Sequence, residues 1–326
     1  MDFLQILSNT VSSILSPATI AYALAALGLA MHFGFAGLLN MGIAAFMAIG
    51  AYGYAISILT FGLPWWVGIL VGILGSVVFA LILGIPTLRL RGDYLAIVTI
   101  AAAEIVRLLF LTNTFVEYTG SADGLSGYHQ SFRASNPIPP GRYGFGPFQF
   151  NAVSLWVVVL GLLLLAVCTT ILLLLTRSPW GRVLKGIRED EDAVRSLGKN
   201  VFAYKMQALV IGGIFAALGG IVYALPSSVN PGVYVTSLTF FVYTALLLGG
   251  AATVFGPLLG SLIFWMLYTL LGNLLPALAD SGWLPFLSSI QAATLRYILI
   301  GVALMLLVIF RPQGILGNKK ELTFVR

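Results

Sequence analysis

Charge is what this sequence has least of. Asp, Glu, Lys and Arg make up 9% of its 326 residues, against 59% hydrophobic, where a soluble domain carries about 25% charged residues. So few polar side chains do not cover a water-soluble fold of this length, and the apolar excess is expected to face lipid. Cysteine is nearly missing too. Cys168 stands alone in an apolar run, which excludes an internal disulfide and leaves packing as its role. The two histidines, His32 and His129, have no companion ligands at metal spacing, so no metal site is expected. No Lys or Arg precedes Arg89, and Asp2 follows the first Met. A secretory signal opens with basic residues, so the first apolar stretch reads as retained. There is no G-x-x-x-x-G-K-[ST] phosphate loop. Gly198-Lys199 lacks the earlier glycine and the Ser/Thr, so the chain is not expected to hydrolyse ATP itself. Alternating apolar and polar runs are also missing, which argues against a β-barrel.

What is present comes in continuous apolar runs. Mean hydropathy is +1.00, and about 20 apolar residues in a helix cross the hydrocarbon core. Nine stretches qualify, at approximately 14–33, 43–60, 65–88, 94–112, 152–176, 205–225, 236–251, 255–275 and 290–310. Short Gly-rich segments leave the count between eight and ten. The expected fold class is all-α, a polytopic transmembrane helical bundle with Gly-broken helices, forming a single transmembrane domain over 1–326.

The net charge of +6 raises nucleic acid as a partner, but the positions of the charges point elsewhere. Lys and Arg gather on the cytoplasmic side of membrane proteins. The richest stretch holds Arg177, Arg182, Lys185, Arg188, Arg195, Lys199 and Lys205, the tail adds Arg311, Lys319, Lys320 and Arg326, and a short turn adds Arg89 and Arg91. Nine helices alternate consistently with all three inside, which places 13 of 17 basic residues there. The N-terminus is then outside, and a re-entrant or split helix near 34–42 would reverse it alone. An external loop over about 113–151, rich in Gly, Pro and polar residues, separates four helices from five. GFAGLLNMGIAAFMAIGAY (34–52) and GGAATVFGPLLGSLIF (249–264) occupy comparable places in the two halves. Small residues serve close helix packing, and matched breaks also mark substrate sites near the midplane. Both readings stand.

The inner loop over about 177–205 is the most informative segment. Ser178-Pro179 reads as an N-cap and first helical position, opening a short helix to about Arg188. Glu189, Asp190, Glu191 and Asp192 suit the N-terminus of a second short helix. Gly198 ends that helix in a left-handed cap, and Asn200 caps the next membrane helix. Val194, Leu197 and Val201 keep an apolar stripe. Two capped helices make a rigid protrusion that a soluble partner can push; the other reading is an amphipathic loop lying on headgroups.

This loop, GIREDEDAVRSLGKNVFAYK (186–205), resembles the coupling loop of ATP-binding cassette importer permeases, in which an acidic–Ala stretch precedes a Gly. With GFAGLLNMGIAAFMAIGAY, LRLRGDYLAIVTIAAAEIVRLL (88–109) and FRPQGILG (310–317), it resembles the LivM-type branched-chain amino acid permeases. The resemblance runs from about 22 to 317. It departs at Glu191, Asp192 and Ala193, which replace a full Glu-Ala-Ala triplet, and residues 125–150 carry no recognised motif. The resemblance implies a multi-pass protein of the bacterial inner (plasma) membrane. It implies a transport subunit rather than an enzyme, with no cofactor of its own and with ATP used by partner subunits. The implied partners are a second homologous permease subunit forming a heterodimer, two ATPase subunits and a periplasmic substrate-binding protein. The implied coupling residues are Arg188, Glu189, Asp190, Glu191, Asp192, Ala193 and Gly198.

For the substrate path, Glu104 and Arg107 sit three apart and share a helix face. Charges inside a bilayer face a protein interior or a wet path, so the pair is either a structural salt bridge or part of the path. Asn40 and Met41 stand at a break where backbone N–H groups suit a carboxylate. Arg296 is expected to snorkel or to meet an acid. Gly92 is expected to supply a positive φ in the RLRGDY turn, and Asp93 reads as a turn residue or as a second partner contact. The implied substrates are branched-chain or related neutral, hydrophobic amino acids, with urea, amides and other amino acids open. The rival classes are an ion-coupled secondary transporter, for which Glu104 is the strong candidate acid, and a passive channel.

Overall fold

Helix forms wherever a long apolar run ends in residues that satisfy its free backbone groups. The computed structural model describes residues 3–90, 92–281, 283, 288–311 and 313–317. In chain order the elements are α1 (Phe3–Ser12), α2 (Pro17–Leu29), α3 (Ile43–Leu59), α4 (Trp65–Thr87), α5 (Gly92–Leu111), α6 (Val116–Thr119) and α7 (Gln130–Ala134). A hairpin of β1 (Arg142–Phe145) and β2 (Phe148–Asn151) follows. Then come α8 (Ala152–Arg177), α9 (Pro179–Glu189), α10 (Glu191–Ser196), α11 (Val201–Ala224), α12 (Thr236–Gly249), α13 (Gly256–Asp280) and α14 (Ser289–Phe310). Ser16 caps α2 by accepting from Thr19 N, with Pro17 in the first turn. Asn151 caps α8 in the same way, and Ser288 with Gln291 forms a capping box on α14, so each start is fixed by local chemistry.

All nine expected apolar stretches are helical. Among the described residues, seven helices are long and apolar enough to cross a membrane. The other two, α3 and α12, have 17 and 14 residues and reach roughly 25 and 21 Å, short of a hydrocarbon core of roughly 30 Å. Both lie beside the Gly-rich stretches. At each of them the helical path is interrupted by a corner between two helices. Helix α2 runs into a π-helical turn, Ala30–Phe35, and residues 37–42 are non-helical before α3 begins. The second corner, 250–255, joins α12 to α13. Helix α1 escapes a hydropathy reading because Ser8, Asn9 and Thr10 interrupt it. Its Thr10 hydroxyl donates back to the Ile6 carbonyl, 2.8 Å away. Gly92 opens α5 without a positive φ, so helix begins where a left-handed turn was expected. Arg91, Lys319, Lys320 and Arg326 lie outside the described residues.

Helix α11 is the centre, packed against α2, α3 and α4. Small residues permit it: a Cβ on Gly212 would lie 2.4 Å from His32 Nε2 and 2.5 Å from the Gly28 carbonyl oxygen. Only glycine admits that approach. The corner at 36–42, the turn at 88–90, the α9–α10 hairpin, the corner at 250–255 and residues 313–317 gather at one end. Residues 113–136 and the α11–α12 connection gather at the other, tied by a Leu125–Val229 bridge, by Tyr128 Oη donating to the Ala224 carbonyl and by Asn230 Nδ2 donating to the Ala122 carbonyl. Helices α5 and α14 stay largely uncovered.

Candidate functional site

The α9–α10 hairpin is built by its own short-range chemistry. The Ser178 hydroxyl accepts from Gly181 N at 3.4 Å. Asp190, the N-cap of α10, accepts from Ala193 N at 2.9 Å. Gly198 takes φ +75°, and Asn200 accepts from Ala203 N at 3.1 Å to start α11. Glu191 and Asp192 lie in the first turn of α10 and Arg195 in its last, each where the helix dipole favours its sign. Leu184, Ile187, Val194 and Val201 are buried beneath the hairpin. Leu197, expected in the same stripe, is 78% exposed instead, because α10 ends at Ser196 and the chain turns outward there.

The acidic residues divide by direction. Asp192 and Glu189 point outward, their side chains 88% and 68% exposed. Glu191 is held from two sides, by Arg195 at 2.8 Å and by Lys205 of α11. A cleft of about 690 Å³ opens between the 88–90 turn and α10, lined by Arg89, Glu191, Asp192, Arg195, Lys199 and Phe202.

Arg188, the penultimate residue of α9, turns inward while its Nη2 stays 3.9 Å from the Glu189 carboxylate. Its side chain is 5% exposed, and Nη1 donates to the Gly34 carbonyl in the π-helical turn. Beyond that contact lies a buried polar knot. His32 Nε2 is 3.0 Å from the Leu209 carbonyl and Nδ1 is 3.1 Å from Asn40 Nδ2, which assigns the proton to Nε2 because a carbonyl only accepts. Asn40 Oδ1 accepts from Gly42 N at 2.8 Å, and the Asn40 carbonyl accepts from Tyr243 Oη at 3.0 Å. Met41 N donates to Thr99 Oγ1 at 3.0 Å, and Ala44 N donates to Thr239 Oγ1 at 3.3 Å. The N–H groups of Met41, Gly42 and Ala44 at the start of α3 are therefore engaged by side chains in this conformation. An external carboxylate would reach those of Met41 and Gly42 only after these hydrogen bonds open. Thr99, Thr239 and Tyr243, which complete the knot with His32, were not expected there. Their one signal in the sequence is that each is a polar residue inside an apolar helix.

Glu104 and Arg107 pair as their spacing predicts. Arg107 Nε lies 3.0 Å from both carboxylate oxygens, and the side chains remain 40% and 18% exposed. Arg107 continues the buried row of Leu95, Thr99 and Ala103 one turn further and is partly buried, whereas Glu104 lies off that row and is the more open of the two. Arg296 lies over the Tyr268 and Tyr297 rings, 4.3 and 5.0 Å from their centroids, a cation–π stack. Among the described residues, no three His, Cys, Asp or Glu side chains are grouped so as to hold a metal.

Comparison with known proteins agrees with this architecture. The family described as branched-chain amino acid transport system / permease component matches residues 11–309. The high-affinity branched-chain amino acid transport system permease protein LivM of Salmonella typhimurium is 30% identical, over 91% of this chain and 68% of its own length. The probable LivM permease of Methanocaldococcus jannaschii is 26% identical over 93% and 92%. The nucleoside ABC transporter permease protein NupC of Lactococcus lactis is 28% identical over 83% and 84%. With its candidate spans and a match over nearly all of its length, the chain is a multi-pass membrane protein that belongs to the family of branched-chain amino acid transport permease components.

Proposed function

We propose that this chain is one of two permease subunits of an ATP-driven importer of branched-chain or related neutral, hydrophobic amino acids in the bacterial inner membrane. The observation that carries the reading is the hairpin: two capped helices, fixed to the bundle beneath, that present Glu189, Asp192 and Leu197 outward. An exposed apolar side chain among acids gives a soluble partner both burial and charge register. In this reading an ATPase subunit docks on the outer face of α10 and in the cleft beside Arg89, and hydrolysis takes place on that partner. Asp190, Ala193 and Gly198 hold the shape of the docking surface. A secreted binding protein meets the opposite end, near the loop at 113–151.

The second permease covers α5. A charged pair on the lipid side of a membrane helix is costly, about 2.5–3.5 kcal/mol per charge on insertion scales. Glu104, 40% exposed, and its partner Arg107, partly buried at 18%, therefore favour a second subunit or a water-filled path beside them. Facing such a path, they match the ammonium and carboxylate of an amino acid. Asn40 and Met41 join the path when the corner opens.

The test is uptake in vesicles reconstituted with the full set of subunits. We expect leucine, isoleucine and valine uptake that needs ATP inside and persists with ionophores present. Uptake that collapses with the proton gradient while ATP remains would end this reading in favour of ion coupling. Because relatives of this chain include nucleoside permeases, guanosine is the competitor to include, and strong competition by it would overturn the substrate assignment alone. Asp192→Lys combined with Glu191→Lys is expected to abolish co-purification of the ATPase while membrane insertion persists.

A further inference from the structure

Arg188 belongs in sequence to the exposed acidic run but in space to the interior. We propose that Arg188 is a positioning residue that carries movement of the hairpin into the α2–α3 corner, and is not a docking contact. Its consequence for transport rests on the reading of this chain as an ATPase-driven permease; its geometry does not.

Four observations converge. First, a 5% exposed side chain offers almost nothing to a docking protein, whereas neighbouring Glu189 offers a great deal. Second, helix-terminal carbonyls lack intrahelical donors, and the carbonyl of Gly34 lies at the end of the π-helical turn that follows α2. The Arg188 guanidinium supplies the donor, a charge-assisted bond stronger than a neutral one. Third, the corner is shaped around the arginine. Gly37 holds φ +69°, and a Cβ there would lie 3.0 Å from Arg188 Cγ. Gly34 presses on the other corner, where its Cβ would lie 1.8 Å from the Ala251 carbonyl oxygen. Fourth, α9 is tied at both ends. Trp180 Nε1 in its first turn donates to Gln207 of α11 at 2.7 Å, and Arg188 in its last turn holds the corner.

A helix fixed at one end to the central α11 and at the other to the corner turns about the first tie when its surface is pushed. A cavity of about 330 Å³ between the corner and the hairpin, lined by Gly37, Leu38, Leu90, Arg188, Glu191 and Lys205, leaves room for that turn. What moves is the segment whose hydrogen bonds reach α5 through Thr99, α11 through Leu209 and α12 through Thr239 and Tyr243. One contact thus reaches helices on several sides of the bundle.

Two measurements test this. In the full chain in nanodiscs, Arg188→Gln is expected to raise amide exchange of residues 35–42 about tenfold, the worth of one hydrogen bond from a charged donor. Arg188→Lys raises it less, and exchange within α9 stays unchanged. In the assembled transporter, Arg188→Gln keeps its ATPase subunits and continues to hydrolyse ATP, but uptake per ATP falls about tenfold, with partial rescue by Arg188→Lys. Unchanged exchange at 35–42 overturns the proposal whatever drives uptake, as does loss of the ATPase from the complex or an unchanged uptake per ATP. A wild-type complex whose uptake ignores ATP defeats the functional reading instead, and leaves the exchange result to judge the contact.

Discussion

The α9–α10 hairpin and the α2–α3 corner meet at Arg188, yet their shapes are fixed in different ways. The hairpin takes its shape from local contacts, although Trp180, Arg188 and Glu191 tie it to the bundle. Its caps join residues three apart, Ser178 to Gly181 and Asp190 to Ala193, and its charges are largely exposed. The corner closes on everything else: His32 to Leu209, Met41 to Thr99, Ala44 to Thr239 and Tyr243 to Asn40. A structure made of local contacts keeps its shape when the surrounding bundle shifts. One made of distant contacts changes when any of its helices moves. On the proposed function, the rigid part would receive the push and the part beside it would follow the helix positions.

The comparison breaks most easily at Asn40. Its side chain is fully buried and fills both of its roles, donor to His32 and acceptor from Gly42. Asn40→Ala orphans an imidazole nitrogen and a backbone N–H, and is expected to cost about 3 kcal/mol, read as a lowered unfolding midpoint of the chain in detergent. A cost below that of the hairpin cap would mean that the corner is not the cooperative region. The next effect is Asp190→Ala, which removes the N-cap of α10 and should cost about 1 kcal/mol. It is best read as faster amide exchange confined to residues 191–196; spread into α3 would blur the distinction between the two regions. Gly198→Ala, at φ +75°, is expected to cost about 1–2 kcal/mol of strain, confined in the same way to the hairpin. The smallest effect on the fold is Leu197→Ser, within about 0.5 kcal/mol at an exposed site. The same change should weaken ATPase binding measurably in pull-down titrations. Unchanged binding would remove Leu197 from the docking face.

How much of this was legible in the sequence follows from the same contrast. The hairpin was read almost residue by residue from Ser178-Pro179, the acidic run, Gly198 and Asn200, because caps and dipoles act over one turn. Leu197 was misplaced because periodicity does not tell that a helix ends one residue earlier. The apolar runs gave nine helices, since burial in lipid and satisfaction of the backbone leave little else. They did not give α1, where short polar interruptions mask an apolar face. They marked the Gly-rich stretches as interruptions but not the length of the corners there, since glycine composition serves a break, a turn and close packing alike.

The sequence by itself determined that this chain crosses a membrane many times and carries a capped, charged hairpin between α8 and α11. Both follow from composition and from interactions spanning a few residues. Only the tertiary structure decided that Arg188 faces inward to Gly34, that Asn40 is locked by His32, and that Glu104 and Arg107 remain partly open at the edge of the bundle. Those facts depend on which helices pack side by side, and a residue's nearest neighbours across 154 or 203 positions of chain are set by the packing of whole helices rather than by its own surroundings in sequence.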